Sequence, residues 1–392
     1  MAGLVLPGLL LVGGLTACSD EDLPEAPSAV SADPAAAIEL LDALTRAIVA
    51  GEDSDGRWPA YVVDNAGEAD VVDFSARYLS DDASVSAGLP PGQWAASVDL
   101  AWRFDGHDPA PARAEATFVF EGEGDDLRLA SVGGGNRVQP LWLSGPVAVA
   151  ERRGVLALVA GAQPDKADRY AALALRGLRA TRDTLPTVKA AQGVVVEVPA
   201  NATEMERALA ADADSYGAIA AVTTTVDASD APGSPVHVFV NDSVFGRLGK
   251  QGAQVVMTHE VVHLVTGAAT EIGVPLWLAE GFADWVALQD SRLPLATSAA
   301  QIIAQVRADG LPDALPSEDV FEARSAHLGA AYEAAWLAVR VLGARGGAEP
   351  LLELQRRLAG GDELDPALRA TFDLTEAELV ELWRTELSSL SE

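Results

Sequence analysis

Apolar and polar positions alternate along this chain with two different periods, and the period changes where the architecture changes. In AAIELLDALTRAIV (36–49) apolar residues recur at helical spacing and the run stops at Gly51, which predicts an amphipathic helix. Between about 90 and 160 the spacing shortens to two in WAASVDLAWRF, ARAEATFVFEG and DLRLASVGG, separated by Gly, Asp and Pro, so antiparallel strands are predicted there. The helical period returns in ADRYAALALRGLRATRD, with Arg169, Arg176, Arg179 and Arg182 on its polar positions. VVVEVP (194–199), GAIAAVTTTV (217–226) and VHVFVND (236–242) read as strands, and nearly everything after residue 252 reads as helix. The last segment, FDLTEAELVELWRTEL (372–387), carries a Thr cap three residues before Glu378.

These patterns predict an α+β protein of 392 residues in two parts, since a chain this long holds more than one core. Residues 36–160 form a helix-plus-antiparallel-sheet domain, with the helix covering one sheet face. Residues 164–392 form a mainly helical domain with a small sheet. The first part contains no ionisable cluster that points to chemistry, and His107, in the turn GHDP, is expected at the surface. Alternation places His237 opposite Val236, Val238 and Val240, which makes it structural or solvent-facing. Its strand, just before the helix discussed below, is expected to be an edge to which a peptide adds its own backbone.

Composition changes the picture at the front of the chain. MAGLVLPGLLLVGGLTAC (1–18) is apolar, too short to span a bilayer comfortably, and turns polar at Ser19 and Asp20, as an export signal does. Residues 19–35 are rich in acidic residues, Pro, Ala and Ser and read as a disordered tether. The chain's single cysteine, Cys18, stands at the junction, and Leu15-Thr16-Ala17-Cys18 resembles the lipobox of bacterial lipoproteins, although the leader carries no Lys or Arg. The resemblance implies a signal peptide, lipid on Cys18 and an extracytoplasmic protein anchored to the outer face of the cell membrane. A formal charge of −31, from 58 acidic and 27 basic residues, argues against nucleic acid as a partner.

The chemistry concentrates in QGAQVVMTHEVVHLVTG (251–267). His259 and His263 are four residues apart, which on a helix sets both imidazoles on one face within reach of a single metal, while Glu260 lies beside the open position. Zinc takes such nitrogens, and a catalytic site adds a third protein ligand and leaves room for water. WLAEGFADW (277–285) offers Glu280, after a stretch in which Gly267, Gly273 and Pro275 let the chain turn back. Asp284, one helical turn beyond Glu280, is placed to accept the spare N–H of a ligating imidazole.

HEVVH followed by E-G-x-x-D resembles the gluzincin, thermolysin-like branch of zinc peptidases (the peptidase MA-like grouping), loosely over about 230 residues and closely over about 30. The resemblance implies a zincin-like domain, Zn2+ held by His259, His263 and Glu280, Glu260 as general base, and Asp284 orienting His259. It also implies a Tyr or His from a later helix that steadies the oxyanion, for which AAYEAAWLAVRVLGARGG (330–347) offers Tyr332, with His327 as competitor. The metzincin pattern needs Gly and His where this chain has Thr266 and Ala269. The expected protein is an extracytoplasmic metallopeptidase acting on a peptide or protein substrate. Its rivals are a non-catalytic cell-surface binding module and an amidase of a non-protein substrate. The intact Glu260 speaks against a binder, which needs no general base.

Overall fold

A computed structural model describes residues 32–392 apart from 53–55, 191, 230, 232, 290, 322–324 and 326. The leader, Cys18 and most of the tether lie outside the described residues. Helix α1 (Pro34–Ala50) begins where the Asp33 carboxylate accepts from the Ala36 N–H, and Gly51 closes it in a left-handed conformation. It takes in the last two residues of the expected tether. Leu40, Leu41, Leu44 and Ile48 form its buried face, at the spacing read from the sequence.

That face covers a four-stranded antiparallel sheet of order β1-β2-β3-β4, made of β1 (Val71–Asp81), β2 (Gln93–Phe104), β3 (Ala112–Glu121) and β4 (Arg128–Val132). β1 precedes the region in which strands were expected. Two register shifts against β2, with Asp73 at φ 53°, break its alternation and hide the two-residue period.

The second sheet has five strands in the order β5-β6-β7-β9-β8: β5 (Val147–Glu151), β6 (Val155–Ala160), β7 (Val194–Val198), β8 (Ala221–Thr225) and β9 (Val236–Val240). β6, β7 and β9 run parallel, and β5 and β8 are antiparallel at the two edges. β5 and β6, assigned to the first part from the sequence, pair with β7, so the division between 160 and 164 passes through this sheet. The physical reason is that an apolar hairpin has the same local pattern whichever sheet it joins. The strand VHVFVND, expected at an edge, is interior, and β8 takes the edge position.

Both faces of the second sheet are covered, as suits strands with continuous apolar runs. Leu156, Leu158, Val195 and Phe239 join the core that also holds β2, β3 and α1. On the other face Val155, Val159, Val196 and Val238 pack with helix α2 (Pro164–Thr184) and helix α3 (Lys250–Thr266). A separate helical core joins α4 (Leu276–Ala287), α5 (Leu328–Gly346) and the closing helix α6 (Glu376–Ser391), which starts with a complete capping box between Thr375 and Glu378. The fold is thus α+β. Among the described residues no helix is long and apolar enough to cross a membrane.

Of the two histidines read as outside the chemistry, His237 takes the structural of its two alternatives and His107 departs from expectation. His237 is fully buried: its Nε2 lies 2.9 Å from Asp108 and its Nδ1 2.7 Å from Glu197. Alternation gave the face of the strand correctly, but that face is covered by the first sheet, with the Phe104 ring 5.6 Å away. His107 is buried as well, because its carbonyl accepts from the Gly193 N–H at the start of β7 and draws the GHDP turn under the second sheet.

Candidate metal centre

α3 carries both motif histidines one turn apart, buried between the sheet and α4. The helix stops at Gly267, whose φ of 80° allows the reversal a side chain would strain, and a strap over 267–275 leads back to α4. α4 delivers Glu280. The Nε2 atoms of His259 and His263 lie 2.9 Å apart, and Glu280 Oε2 is 3.0 Å from the first and 3.4 Å from the second. A circle through these three atoms has a radius of about 1.8 Å, so a point at the usual zinc–ligand distance of about 2.0–2.1 Å from all three lies about 1 Å off their plane. Among the described residues, no other three His, Cys, Asp or Glu side chains close on one another in this way.

The surroundings fix the orientation of these donors. His259 Nδ1 donates to Asp284 Oδ1 at 2.8 Å, which turns Nε2 toward the centre. Burial disfavours charge on His259, but Asp284 and Glu280 outweigh it and raise its pKa well above the ordinary imidazole range. Burial likewise opposes the Glu280 carboxylate, and His263 and His259 hold it far below the usual range instead. The cluster favours positive charge at its centre, the electrostatic condition for holding a cation.

Glu260 follows His259 and lines the same cleft. Its Oε2 accepts from the Thr223 hydroxyl of β8 at 2.7 Å, which fixes the carboxylate and leaves its other oxygen uncommitted to that contact. Tyr332, from α5, places its ring 6.1 Å from that of His259 and edge-on to Phe321. Burial, then the negative charges of Glu280, Glu260 and Asp284, push its phenol well above the usual range, so it stays a hydrogen-bond donor. His327 is exposed before α5 and lines a different cavity, beside Trp383. The structure therefore brings Tyr332 to the cleft and leaves His327 outside it.

The cleft encloses about 380 Å³ between β8 and the strap. In the β8–β9 ladder the Asn241 N–H donates to the Ala220 carbonyl and the Val226 N–H to the Pro235 carbonyl. Alternation between them turns the backbone groups of Ala221, Thr223 and Thr225 outward, to the side of β8 that no strand covers among the described residues. Sequence reasoning missed Thr223, because a Thr run signals only a strand. It also missed Glu271 of the strap, which read as a turn. A scan against protein-family models finds no match to this chain, and a search of curated proteins finds no relative.

Proposed function

We propose that this protein is a zinc-dependent endopeptidase, exported and held at the membrane surface through lipid on Cys18. The observation that carries the activity is the convergence of His259, His263 and Glu280 on one point, with Glu260 and Tyr332 facing the same cleft. Two imidazoles and one carboxylate are a catalytic zinc donor set with one position left for water or substrate. The anchor rests on the sequence LTAC at residues 15–18 alone.

When bound, zinc supplies a Lewis acid for the scissile carbonyl and lowers the pKa of water to about 7. Glu260, held by Thr223, takes a proton from the attacking water and delivers it to the leaving amine. Tyr332 donates a hydrogen bond to the oxygen on which charge develops. Asp284 keeps His259 in the tautomer whose Nε2 faces the centre. The outward backbone groups of Ala221, Thr223 and Thr225 pair with an extended substrate, which favours peptides over other amides.

The test is mass-spectrometric cleavage of a diverse peptide mixture by the zinc-loaded protein, beside a Glu260→Gln form whose zinc content is measured. Parental cuts should fall by about 10²- to 10⁴-fold in the variant while zinc is retained. Full zinc occupancy without any cleavage would transfer the assignment to a non-catalytic surface module.

A further inference from the structure

The catalytic cleft contains one carboxylate with no assigned task. Glu271 sits on the strap between Gly267 and Gly273 and lines the cleft together with the groups that hold and attack substrate. It makes no ion pair or side-chain hydrogen bond among the described residues. Tyr216, Ile219, Val222, Val274 and Leu276 give the cleft an apolar lining, and none of its described lining residues is Lys or Arg. The carboxylate of Glu271 is therefore the one lining charge left over once Glu260 and Glu280 are accounted for.

Glu271 also walls a second cavity of about 330 Å³ that adjoins the cleft. Glu349 faces that cavity, with one carboxylate oxygen accepting from the Thr187 hydroxyl at 2.7 Å. Arg356, the one cation among its described lining residues, is already paired with Glu353. The wall of this cavity thus carries two carboxylates, Glu271 and Glu349, while its described cation is committed to a third. Glu271 is exposed at the rim of the cleft, within reach of a substrate cation, and the partial desolvation of its carboxyl raises its pKa. The formal charge of −31 steers cationic substrates toward the molecule in the same sense.

We infer that Glu271 is a specificity-determining residue that receives a cationic nitrogen of the substrate, with the adjoining cavity taking the length of a lysyl or arginyl side chain. This rests on the peptidase reading of the cleft. The same carboxylate could be met by a free α-ammonium group, and the two sources are separable because acetylation removes only the second.

The experiment uses full-length zinc-loaded protein and a peptide series with Lys, Arg, norleucine or Glu at each position flanking the cut, each with free and acetylated amino termini. Binding is read by fluorescence anisotropy on the Glu260→Gln form, and cleavage on the parent. Lysyl or arginyl peptides should bind at least about fivefold tighter than norleucyl ones at low salt. Glu271→Gln should bring that ratio to about one, and Glu271→Lys should turn the preference toward the glutamyl peptides. Survival of the preference after acetylation assigns the side chain as its source, and its loss assigns the amino terminus. Equal binding of lysyl and norleucyl peptides, or a ratio that Glu271→Gln leaves unchanged, overturns the inference even if every peptide is cut. A Glu271-dependent preference without any cleavage sustains the inference and defeats the peptidase reading instead.

Discussion

The groups gathered at the cleft divide by the kind of charge they handle. His259, His263 and Glu280 favour a cation, Glu260 is a carboxylate that accepts from Thr223, and Tyr332 presents a phenol that its surroundings keep neutral. A donor that serves only developing negative charge should matter in the transition state and little in the ground state. Tyr332→Phe is therefore expected to lower kcat by roughly 10²-fold with KM little changed. His327→Ala should leave kcat as it is, because His327 lines another cavity. Steady-state kinetics on one cleaved peptide checks both, and a Tyr332→Phe enzyme at parental kcat would remove the hydroxyl from the mechanism. The sequence placed His259 and His263 on one helix face, since four-residue spacing fixes which side chains share a face, and the structure brings Glu280 to them. The sequence did not hold the choice between Tyr332 and His327, which depends on where α5 begins relative to the cleft.

At the scale of elements, the site is a matter of how closely three helices approach. Glu280 reaches the histidines because its neighbour Gly281 lets α4 lie against α5, where a Cβ would meet the Ala335 carbonyl oxygen at 2.5 Å. Gly281→Ala must push the two helices apart, at a cost of about 1–3 kcal/mol for overpacking. It also displaces Glu280 and Tyr332 together. The expected outcome is a lower Tm with zinc affinity reduced by at least about tenfold, read by competition with a chelating dye. Unchanged affinity would mean that the contact sets stability alone. The string E-G-x-x-D, read from the sequence for its two acids, thus depends equally on its glycine. Other elements were less legible for local reasons. β1 lost its period to register shifts, and the β5–β6 hairpin carries no mark of the sheet it joins. Thr223 shows its use only when α3 is laid beside β8.

Across the whole molecule, the two sheets are fastened by an ion cluster in their shared core. His237 of β9 points both ring nitrogens at carboxylates, Asp108 from the turn after β2 and Glu197 of β7, so the geometry is that of an imidazolium. Burial opposes the charge, yet the two carboxylates prevail and push the pKa up to about 9. A histidine raised from its unfolded value of about 6.5 contributes stability in full below that value and loses it as pH rises through about 9. The neighbouring His107 works the other way, since burial lowers its pKa. Because the His237 charge helps to lower it, parent and variant are both compared in a His107→Gln background. His237→Ala leaves two buried carboxylates without their partner, which should cost about 3–5 kcal/mol at pH 6.5. That difference, measured as urea midpoints with a common m-value, should shrink steadily toward pH 9.5. A gap of constant size would show that neutral His237 serves equally well and that packing against Phe104 holds the sheets. A shrinking gap would tie the active cleft to the first sheet: Thr224 pairs with His237 across the β8–β9 ladder, and the adjacent Thr223 holds Glu260. Loss of kcat should then follow loss of the imidazolium in His237→Gln before the protein unfolds.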